Sequence, residues 1–372
     1  MRPRAIGPRA ARARIERVLA DAYTIPTDAP ESDGTIAWDA TTIVVVRVLA
    51  GGVWGLGYSY AAAAARDVIV HSLTPAVREV DAMDVPAAWV AMGRAVRNIG
   101  APGIASAAIA GVDNALWDLK ARLLGIPLVT LLGAAREGIA AYGSGGFTSY
   151  TIDALQAQLG GWAREGFGAV KMKIGRDPAA DADRVRAARE AIGPGVELYV
   201  DANGAYTGPQ ALAYAERFAA YGVSWFEEPV SSDDLAGLRL LRQRMPAGMR
   251  VAAGEYGYDA RYFRRMLAAG AVDVLQADAT RCGGVSGFLR AAALSEAYGV
   301  PLSAHTAPSL HTHLCCAAPT AINVEFFHDH ARIERMLFDG AREPRDGVLV
   351  PDRTRPGLGL ELRAADARRF AA

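Results

Sequence analysis

Two of the three lysines in this chain are separated by a single residue, and that spacing points to acid–base chemistry. They are Lys171 and Lys173; Lys120 is the third, and arginine supplies the remaining basic side chains. Arginine stays protonated in proteins, whereas a lysine amine can lose its proton when it is buried or placed beside another cation. Residues 168–174 alternate in polarity, which predicts a strand with both lysines on one face. Because adjacent ammonium groups lower each other's pKa, the pair could supply a base near neutral pH. The competing interpretation is a pair of solvated charges on an edge strand.

Three carboxylates stand at matching points of three successive apolar segments. They are Asp201 in YVDANG, Glu227 in WFEEP and Glu255 in AAGEYG, with gaps of 26 and 28 residues between them. Three carboxylates without histidine or thiolate form an oxygen site for a hard divalent cation, which favours Mg2+ and also accepts Mn2+. Taken singly, Asp201 could cap a turn, Glu228 rather than Glu227 could face the metal, and Glu255 could pair with an arginine. Their common position favours the metal site.

Three further ionisable residues continue the same spacing. Asp278, His305 and Glu325 follow Glu255 at intervals of 23, 27 and 20 residues. A carboxylate bonded to one ring nitrogen of a histidine fixes the tautomer and raises the basicity of the other nitrogen. Asp278 and His305 are therefore predicted to form a His–Asp general base across from Lys173. Glu325 would complete the ring of polar residues.

An alternation of short apolar strands and amphipathic helices would position these residues. The predicted strands lie near residues 138–144, 168–174, 196–201, 223–228, 250–255, 272–278, 301–305 and 321–326. Helical stretches such as 177–191, 209–220 and 285–298 separate most of them. Eight strands alternating with helices predict an α/β fold, a parallel (β/α)8 TIM-type barrel. Such barrels carry their chemistry at the C-terminal ends of the strands, where each of the polar residues above is predicted.

The length of 372 residues allows a barrel with an addition. Residues 1–130 are predicted to form an N-terminal α+β capping domain, with strands at 41–49 and 53–60 and helices at 63–78, 84–97 and 103–124. Residues 131–340 would form the barrel. Residues 341–372 would be a C-terminal tail that packs back on the capping domain and completes it.

The composition narrows the class of protein. Hydrophobic residues make up 51% of the chain and charged residues 22%, enough for a large core, and no apolar run is long enough to span a membrane. The formal net charge of zero gives no support to nucleic acid or an anionic membrane as a partner. The three cysteines favour a reduced, cytoplasmic location. Six arginines within the first 17 residues are interpreted as a frayed start.

The motifs KxK, DAN, WFEEP, GE, QADATRCGG, SAH and VEFF occur in this order and spacing across almost the whole chain. Each is weak alone, but the combination resembles the mandelate racemase group of the enolase superfamily, also called the mandelate racemase/muconate lactonizing enzyme family. Enzymes of this superfamily are a well-known example of pairing a Lys or His base with Mg2+ to stabilise an ene-diolate. The resemblance implies an enzyme that abstracts the proton alpha to a carboxylate, and a homo-oligomer.

The resemblance also implies roles for single residues. The three acids would bind one Mg2+ ion, which chelates the carboxylate of a small-molecule substrate. Lys173 would be the base on one face of the α-carbon, and Lys171 would contact the carboxylate and lower the pKa of Lys173. His305, supported by Asp278, would act on the opposite face. Two further residues would serve the carboxylate: Glu325, protonated, would donate a hydrogen bond to it, and Asn203 would contact it or lie beside the metal ligands.

Two bases on opposite faces can perform two reactions. A hydroxyl beta to the carboxylate can be expelled as water, which converts an acid sugar to a 2-keto-3-deoxy acid. Without that leaving group the proton returns on the other face, which racemises or epimerises a 2-hydroxy acid. Residues 24–35, which include Asp28, are predicted to form a polar loop of the cap, and Tyr58 lies in a second polar segment. Asp28 and Tyr58 are predicted to contact the substrate, and because polar groups in the lid suit a polyhydroxy acid, dehydration is the favoured prediction.

Two other classes of protein compete with this prediction. His311-Thr-His313 and His328-Asp-His330 could hold zinc in a hydrolase. Metal-dependent hydrolase barrels place a His-x-His motif on the first strand, however, and both pairs lie late in this chain. A non-catalytic binding barrel is the other alternative, and the retention of every candidate catalytic residue argues against it.

Overall fold

The computed structural model describes residues 13–372, and most of the arginine-rich start of the chain lies outside that range. A closed barrel of eight parallel strands is surrounded by helices and carries an N-terminal cap. The strands pair in sequence order, and the last pairs with the first through Val324 and Ala141 to close the ring. The predicted fold class is therefore confirmed.

The cap consists of a three-stranded antiparallel sheet and a helical layer. Its strands are β1 (Ile15–Ser32), β2 (Ala37–Ala50) and β3 (Val53–Tyr60). Its helices are α1 (Ala64–Val68), which continues through a π-helical turn (Ile69–Leu73) into α2 (Thr74–Val77), then α3 (Val85–Ala95), α4 (Ile104–Leu124) and α5 (Leu128–Leu132). The long helix α4 ends because Gly125 adopts a left-handed conformation with φ +71°, and Pro127 follows.

Residues 24–35 are not the polar loop that the sequence predicted. Strand β1 extends to Ser32, and its distal half pairs with β2 through Ile25 and Thr41 before an irregularity after Pro26. The prolines at positions 26 and 30 hid the strand, because proline cannot donate to a strand ladder. The edge position of β1 in the three-stranded sheet tolerates them.

The barrel strands are β4 (Ile139–Gly145), β5 (Ala169–Lys173), β6 (Glu197–Asp201), β7 (Val223–Glu227), β8 (Arg250–Ala253), β9 (Val274–Ala277), β10 (Leu302–Ala304) and β11 (Ala321–Phe327). The helices that follow them are α6 (Ile152–Arg164), α7 (Pro178–Ile192), α8 (Gly208–Ala219), α9 (Leu235–Arg242), α10 (Ala260–Ala269), α11 (Gly284–Tyr298), α12 (Pro308–Ala317) and α13 (His328–Leu337). A layer of large side chains fills the interior below the strand ends, with Tyr199 stacked on Trp225 at a centroid distance of 4.8 Å. This layer supports the polar residues above it.

The C-terminal tail contacts both parts of the chain. It contains β12 (Phe338–Asp339), β13 (Val348–Leu349), β14 (Glu361–Leu362), α14 (Ala364–Ala367) and a short 3₁₀ turn (Arg368–Phe370). Strand β13 pairs with β4 of the barrel, whereas the backbone N–H of Leu358 donates to Asp118 of α4 at 2.6 Å. The predicted domain boundaries stay a prediction. Among residues 13–372, no helix has both the length and the apolar character needed to cross a membrane.

The contact between β3 and α4 depends on glycine. A Cβ atom added at Gly57 would lie 2.3 Å from the backbone nitrogen of Ala115 and 2.5 Å from the carbonyl oxygen of Gly111. Because backbone atoms cannot move aside as a side chain can, we expect Gly57→Ala to destabilise the protein by at least about 2 kcal/mol in urea unfolding. Gly93→Ala is the matched control, since a Cβ atom there meets nothing within 4 Å in helix α3. The control should be neutral or slightly stabilising, and an equal loss in both variants would contradict this explanation.

Candidate active site

The strand ends carry the three carboxylates that the sequence singled out. Asp201 ends β6, Glu227 ends β7, and Glu255 follows β8 after Gly254. All three are buried, and one carboxylate oxygen from each lies within 4.8 Å of the others. Oxygen Oε2 of Glu255 is buried without a hydrogen-bond partner among the described residues. Burial and the charge of Asp201 raise the pKa of Glu227 well above its usual range. A hard divalent cation stabilises buried carboxylates that lie close together and lack some of their hydrogen-bond partners. These three residues therefore fit Mg2+.

The two lysines occupy different depths of the barrel. Lys171 is fully buried and does not line the cavity; its Nζ lies 2.5 Å from Oε1 of Glu227 and 2.8 Å from Oε1 of Glu325. Lys173, two residues further along the strand, lines the cavity, and its Nζ donates to Oδ2 of Asp201 at 2.6 Å. The pair therefore does not form the solvated edge-strand charges of the competing interpretation.

The predicted lowering of the Lys173 pKa is not what the protein residues alone produce. Burial lowers this pKa and so does the Lys171 ammonium, but the attraction of Asp201 outweighs both, and the pKa of Lys173 is raised. The sequence identified the neighbouring ammonium correctly and missed the shorter contact with Asp201. A cation held by Asp201 would offset the charge that this carboxylate directs at Lys173, and the two lowering effects would gain weight.

The histidine and aspartate predicted to work together are hydrogen-bonded. Nδ1 of His305 lies 2.9 Å from Oδ2 of Asp278, while the other oxygen of Asp278 accepts from the backbone N–H of Thr280 at 2.6 Å. Nε2 of His305 lies 3.3 Å from Oε2 of Glu255. This arrangement fixes the imidazole ring and leaves Nε2 at the cavity, the nitrogen that can exchange a proton with a ligand.

Glu325 lies on β11 between His305 and Lys171. Burial raises its pKa, but Lys171, His305 and Lys173 lower it more, and the pKa of Glu325 falls to about 2. Ser144 donates to Oε1 at 2.6 Å, and the backbone N–H of Thr306 donates to Oε2. The expected protonated Glu325, which would donate a hydrogen bond to a carboxylate, is therefore wrong for these surroundings, because the nearby cations outweigh burial.

A cavity of about 450 Å³ connects the barrel mouth to the cap. Its wall contains Lys173 and His305, the two proposed bases, together with Glu255 and Asn203. From the cap it receives Asp33, Ile36, Trp38, Ala40, Thr41, Thr42, Tyr60 and Ala62. The cap hairpin formed by β1 and β2 thus forms the roof of the site.

Two of the three predicted substrate contacts do not line this cavity. Tyr58 is fully buried, and its hydroxyl donates to Oε1 of Glu334 at 2.6 Å. Asp28 accepts from Nε2 of His328 at 2.9 Å outside the cavity wall. Tyr60, two residues beyond Tyr58, lines the cavity instead.

Asn203 does line the cavity. Its backbone N–H donates to Oδ1 of Asp201 at 2.9 Å, and its side-chain oxygen is buried without a partner among the described residues. The left-handed φ of +47° is a conformation that asparagine tolerates better than most residues.

Sequence reasoning missed Arg281. Its guanidinium lines the cavity and donates to Oε1 of Glu255 at 3.2 Å, while Nε lies 3.6 Å from Oδ2 of Asp278. Glu255 thus pairs with an arginine, the alternative considered to metal binding, and still belongs to the acidic group formed by Asp201, Glu227 and Glu255. The available signal was its position three residues after Asp278 in QADATRCGG.

The histidine pairs do not form one zinc site. Nε2 of His311 accepts from the backbone of Ala279, and Nδ1 of His313 accepts from the backbone of Val129. Both rings are buried among backbone partners. His330 instead lines the cavity, stacked on Tyr60 at a centroid distance of 3.4 Å.

The fold and site together define a class: a capped (β/α)8 barrel enzyme with three acids at successive strand ends between a lysine and a histidine. Comparison with known proteins agrees. Residues 13–133 match the mandelate racemase/muconate lactonizing enzyme N-terminal domain, and residues 154–367 match the enolase C-terminal domain-like family. The chain belongs to the mandelate racemase/muconate lactonizing enzyme family of the enolase superfamily.

The relatives cover nearly the full chain. D-galactarolactone cycloisomerase of Agrobacterium fabrum is 31% identical over 90% of this chain and 93% of its own length. L-talarate/galactarate dehydratase of Salmonella typhimurium is 30% identical over 96% of this chain and 91% of its own length. The crystal structure of a mandelate racemase/muconate lactonizing enzyme-like protein from Rubrobacter xylanophilus superposes with a TM-score of 0.95 at 52% identity, covering 96% of this chain and all of that one. A racemase from Streptomyces coelicolor with bound magnesium superposes with a TM-score of 0.90 at 31% identity, covering 96% of this chain and 100% of that one.

Proposed function

We propose that this enzyme is a Mg2+-dependent dehydratase of an acid sugar, which converts a polyhydroxy carboxylate to a 2-keto-3-deoxy acid. The observation that carries the proposal is that Lys173 and His305 line the same cavity, beside the buried acidic group. A carbon acid next to a carboxylate loses its proton only if positive charge meets the oxygens on which the second negative charge develops. Asp201, Glu227 and Glu255 would hold Mg2+, which supplies that charge when bound.

The two bases divide the proton transfers. Lys173 Nζ accepts the α-proton from one face, and the electron pair of the broken C–H bond moves toward the carboxylate. The bond between the neighbouring carbon and its hydroxyl then breaks, and the hydroxyl leaves with the proton that His305 Nε2 delivers. Water is lost, and the enol product takes up a proton at the neighbouring carbon while its enol hydroxyl loses one, which gives the keto acid. Asp278 stabilises the imidazolium form of His305 that this transfer requires.

The roof of the cavity supports a hydroxylated substrate. Thr41 and Thr42 line the wall, and His330 adds a ring whose Nδ1 has no hydrogen-bond partner among residues 13–372. Burial lowers the pKa of His330 well below its usual range, so the ring is neutral and can exchange hydrogen bonds with substrate hydroxyls. Polar groups at fixed positions suit a sugar acid better than an aromatic acid.

The second candidate is racemisation or epimerisation of a 2-hydroxy acid. It is favoured by the same placement of two bases in one cavity, because His305 could return the proton that Lys173 removes. The relatives include a racemase and a dehydratase, so product analysis must separate the reactions. The homo-oligomer inferred from the resemblance stays a prediction.

The decisive experiment is a panel of acid sugars and 2-hydroxy acids incubated with the enzyme and Mg2+. Keto acid, detected by chemical derivatisation, reports dehydration. Loss of optical rotation without keto acid reports racemisation. We expect keto acid with at least one acid sugar, abolished by EDTA and restored by Mg2+, because the acidic group cannot stabilise the second negative charge alone. Full activity in the chelator would contradict the proposal. The Asp39→Asn variant, which changes an exposed carboxylate outside the acidic group, serves as the control and should keep the Mg2+ requirement.

A further inference from the structure

A second group of potential metal ligands lies where the cap meets the barrel. Asp28 and Glu31 belong to strand β1 of the cap, and His328 is the first residue of α13. One ligand atom from each of the three lies within 4.8 Å of the others. None of the three lines the catalytic cavity. The group therefore needs an explanation of its own.

Two buried carboxylate oxygens, one from Glu31 and one from Asp329, have no hydrogen-bond partner within residues 13–372. Glu31 is 1% exposed; its Oε2 accepts from Nε1 of Trp38 at 2.8 Å, but its Oε1 is buried without a hydrogen bond to any of residues 13–372. Asp329, next to His328, pairs through Oδ1 with Arg332, while its Oδ2 is likewise unpartnered within the same range. Leaving a buried carboxylate oxygen unpaired costs free energy, and a bound cation would remove that cost for Oε1 of Glu31.

The distances suit a small cation. One ligand atom of each residue lies within 4.8 Å of the others, and in this structure Nε2 of His328 donates to Oδ2 of Asp28 at 2.9 Å, a hydrogen bond that a bound ion would replace. Two ligands bound at about 2.0–2.1 Å to a tetrahedral ion lie roughly 3.3 Å apart. A mixed set of imidazole and carboxylate suits Zn2+, whereas the all-oxygen group at the strand ends suits Mg2+.

We propose that Asp28, Glu31 and His328 form a Zn2+ site that fastens the cap hairpin to the barrel. Strand β1 supplies two ligands and the start of α13 the third, so the ion joins parts of the chain 300 residues apart. Trp38 links this site to the catalytic cavity, since its indole donates to Glu31 and its ring lines the cavity wall. The site holds the roof of the cavity in place and takes no part in proton transfer.

The test counts metal ions in the folded protein. The protein is stripped with EDTA, dialysed against millimolar Mg2+ with micromolar Zn2+, and analysed by elemental mass spectrometry. We expect wild type to retain stoichiometric zinc, and His328→Gln and Glu31→Gln to bind it more than about 100-fold more weakly, a larger loss than outer-sphere changes cause. Asp201→Asn should lose magnesium and keep its zinc, which separates the two sites.

The controls keep the test decisive. Asp39→Asn changes an exposed carboxylate of the same hairpin and should retain zinc like wild type. Glu31 is buried and its variant could fail to fold, but His328 keeps a side chain that is 24% exposed, so His328→Gln carries the test if circular dichroism shows Glu31→Gln unfolded. Absence of zinc from the wild type would overturn the proposal, and so would zinc that survives His328→Gln but disappears in Asp201→Asn.

Discussion

Replacement of Lys173 by methionine is expected to lower kcat by about 10³-fold, the middle of the usual range for loss of a general base. Methionine has an unbranched apolar side chain of nearly the same length, with sulfur in place of one methylene, and lacks the amine. Among the described residues, Lys173 is the lysine that lines the cavity. Lys171 is fully buried beneath it. No second lysine of the described part of the chain lines the cavity to take its place. The rate is measured as keto-acid formation, and nuclear magnetic resonance in D2O follows exchange of the α-proton.

The exchange measurement distinguishes a lost base from a damaged site. We expect Lys173→Met to abolish exchange on the face that Lys173 serves, while Mg2+ binding persists through the three acids. Lys120→Met is the matched control, because Lys120 lies in the cap, where its Nζ donates to the carbonyl of Met83 at 2.9 Å. That variant should keep nearly full activity. Unchanged exchange in Lys173→Met would refute the assignment of this base.

The barrel and its ring of polar residues could be predicted because both depend on period and spacing. Each strand–helix unit takes a similar length of chain, so residues such as Asp201, Glu227 and Glu255 recur at nearly equal intervals. The alternation of β5 places Lys171 and Lys173 on one face, and the barrel makes that face the interior. Local physical rules settle both points without knowledge of tertiary contacts.

The choice between Tyr58 and Tyr60 could not be made in the same way. Strand β3 is buried over its last six residues. Residues two apart on a strand point to the same face, so alternation cannot separate Tyr58 from Tyr60. The hydroxyl of Tyr58 finds Glu334, a residue 276 positions away, and no local pattern encodes such a contact.

The signs of the pKa shifts were also beyond the sequence. Whether Lys173 or Glu325 gains or loses its proton depends on distances between side chains of different strands. The contact of 2.6 Å between Lys173 and Asp201 outweighs burial, and the cations around Glu325 do the same. Motif spacing gives the order of residues around the barrel but not these separations.

Lys171→Met is expected to destabilise the metal-free protein by about 3–5 kcal/mol, the usual cost of breaking a buried ion pair from one side. The Lys171 ammonium lies 2.5 Å from Glu227, 2.8 Å from Glu325 and 3.4 Å from Asp201. Methionine would leave these buried carboxylates without their shared cation. Urea unfolding in EDTA at neutral pH measures the loss, and Lys120→Met supplies the same substitution at a lysine that donates to a backbone carbonyl instead of a carboxylate.

The pH dependence of this loss tests its electrostatic origin. Burial raises the pKa of Glu325, but the cations, with Lys171 the strongest, bring it to about 2 in the folded protein, against about 4.3 in an unfolded chain. A group whose folded pKa is depressed contributes stability that is present above about pH 4.3 and lost as the pH falls through about 2. The stability deficit of Lys171→Met relative to wild type should therefore be full at neutral pH and shrink below about pH 4.

A double variant tests the same explanation. Adding Glu325→Gln to Lys171→Met removes one uncompensated charge and should recover part of the neutral-pH stability. A deficit that stays constant across this pH range, with no recovery in the double variant, would show that Lys171 acts through packing instead of charge.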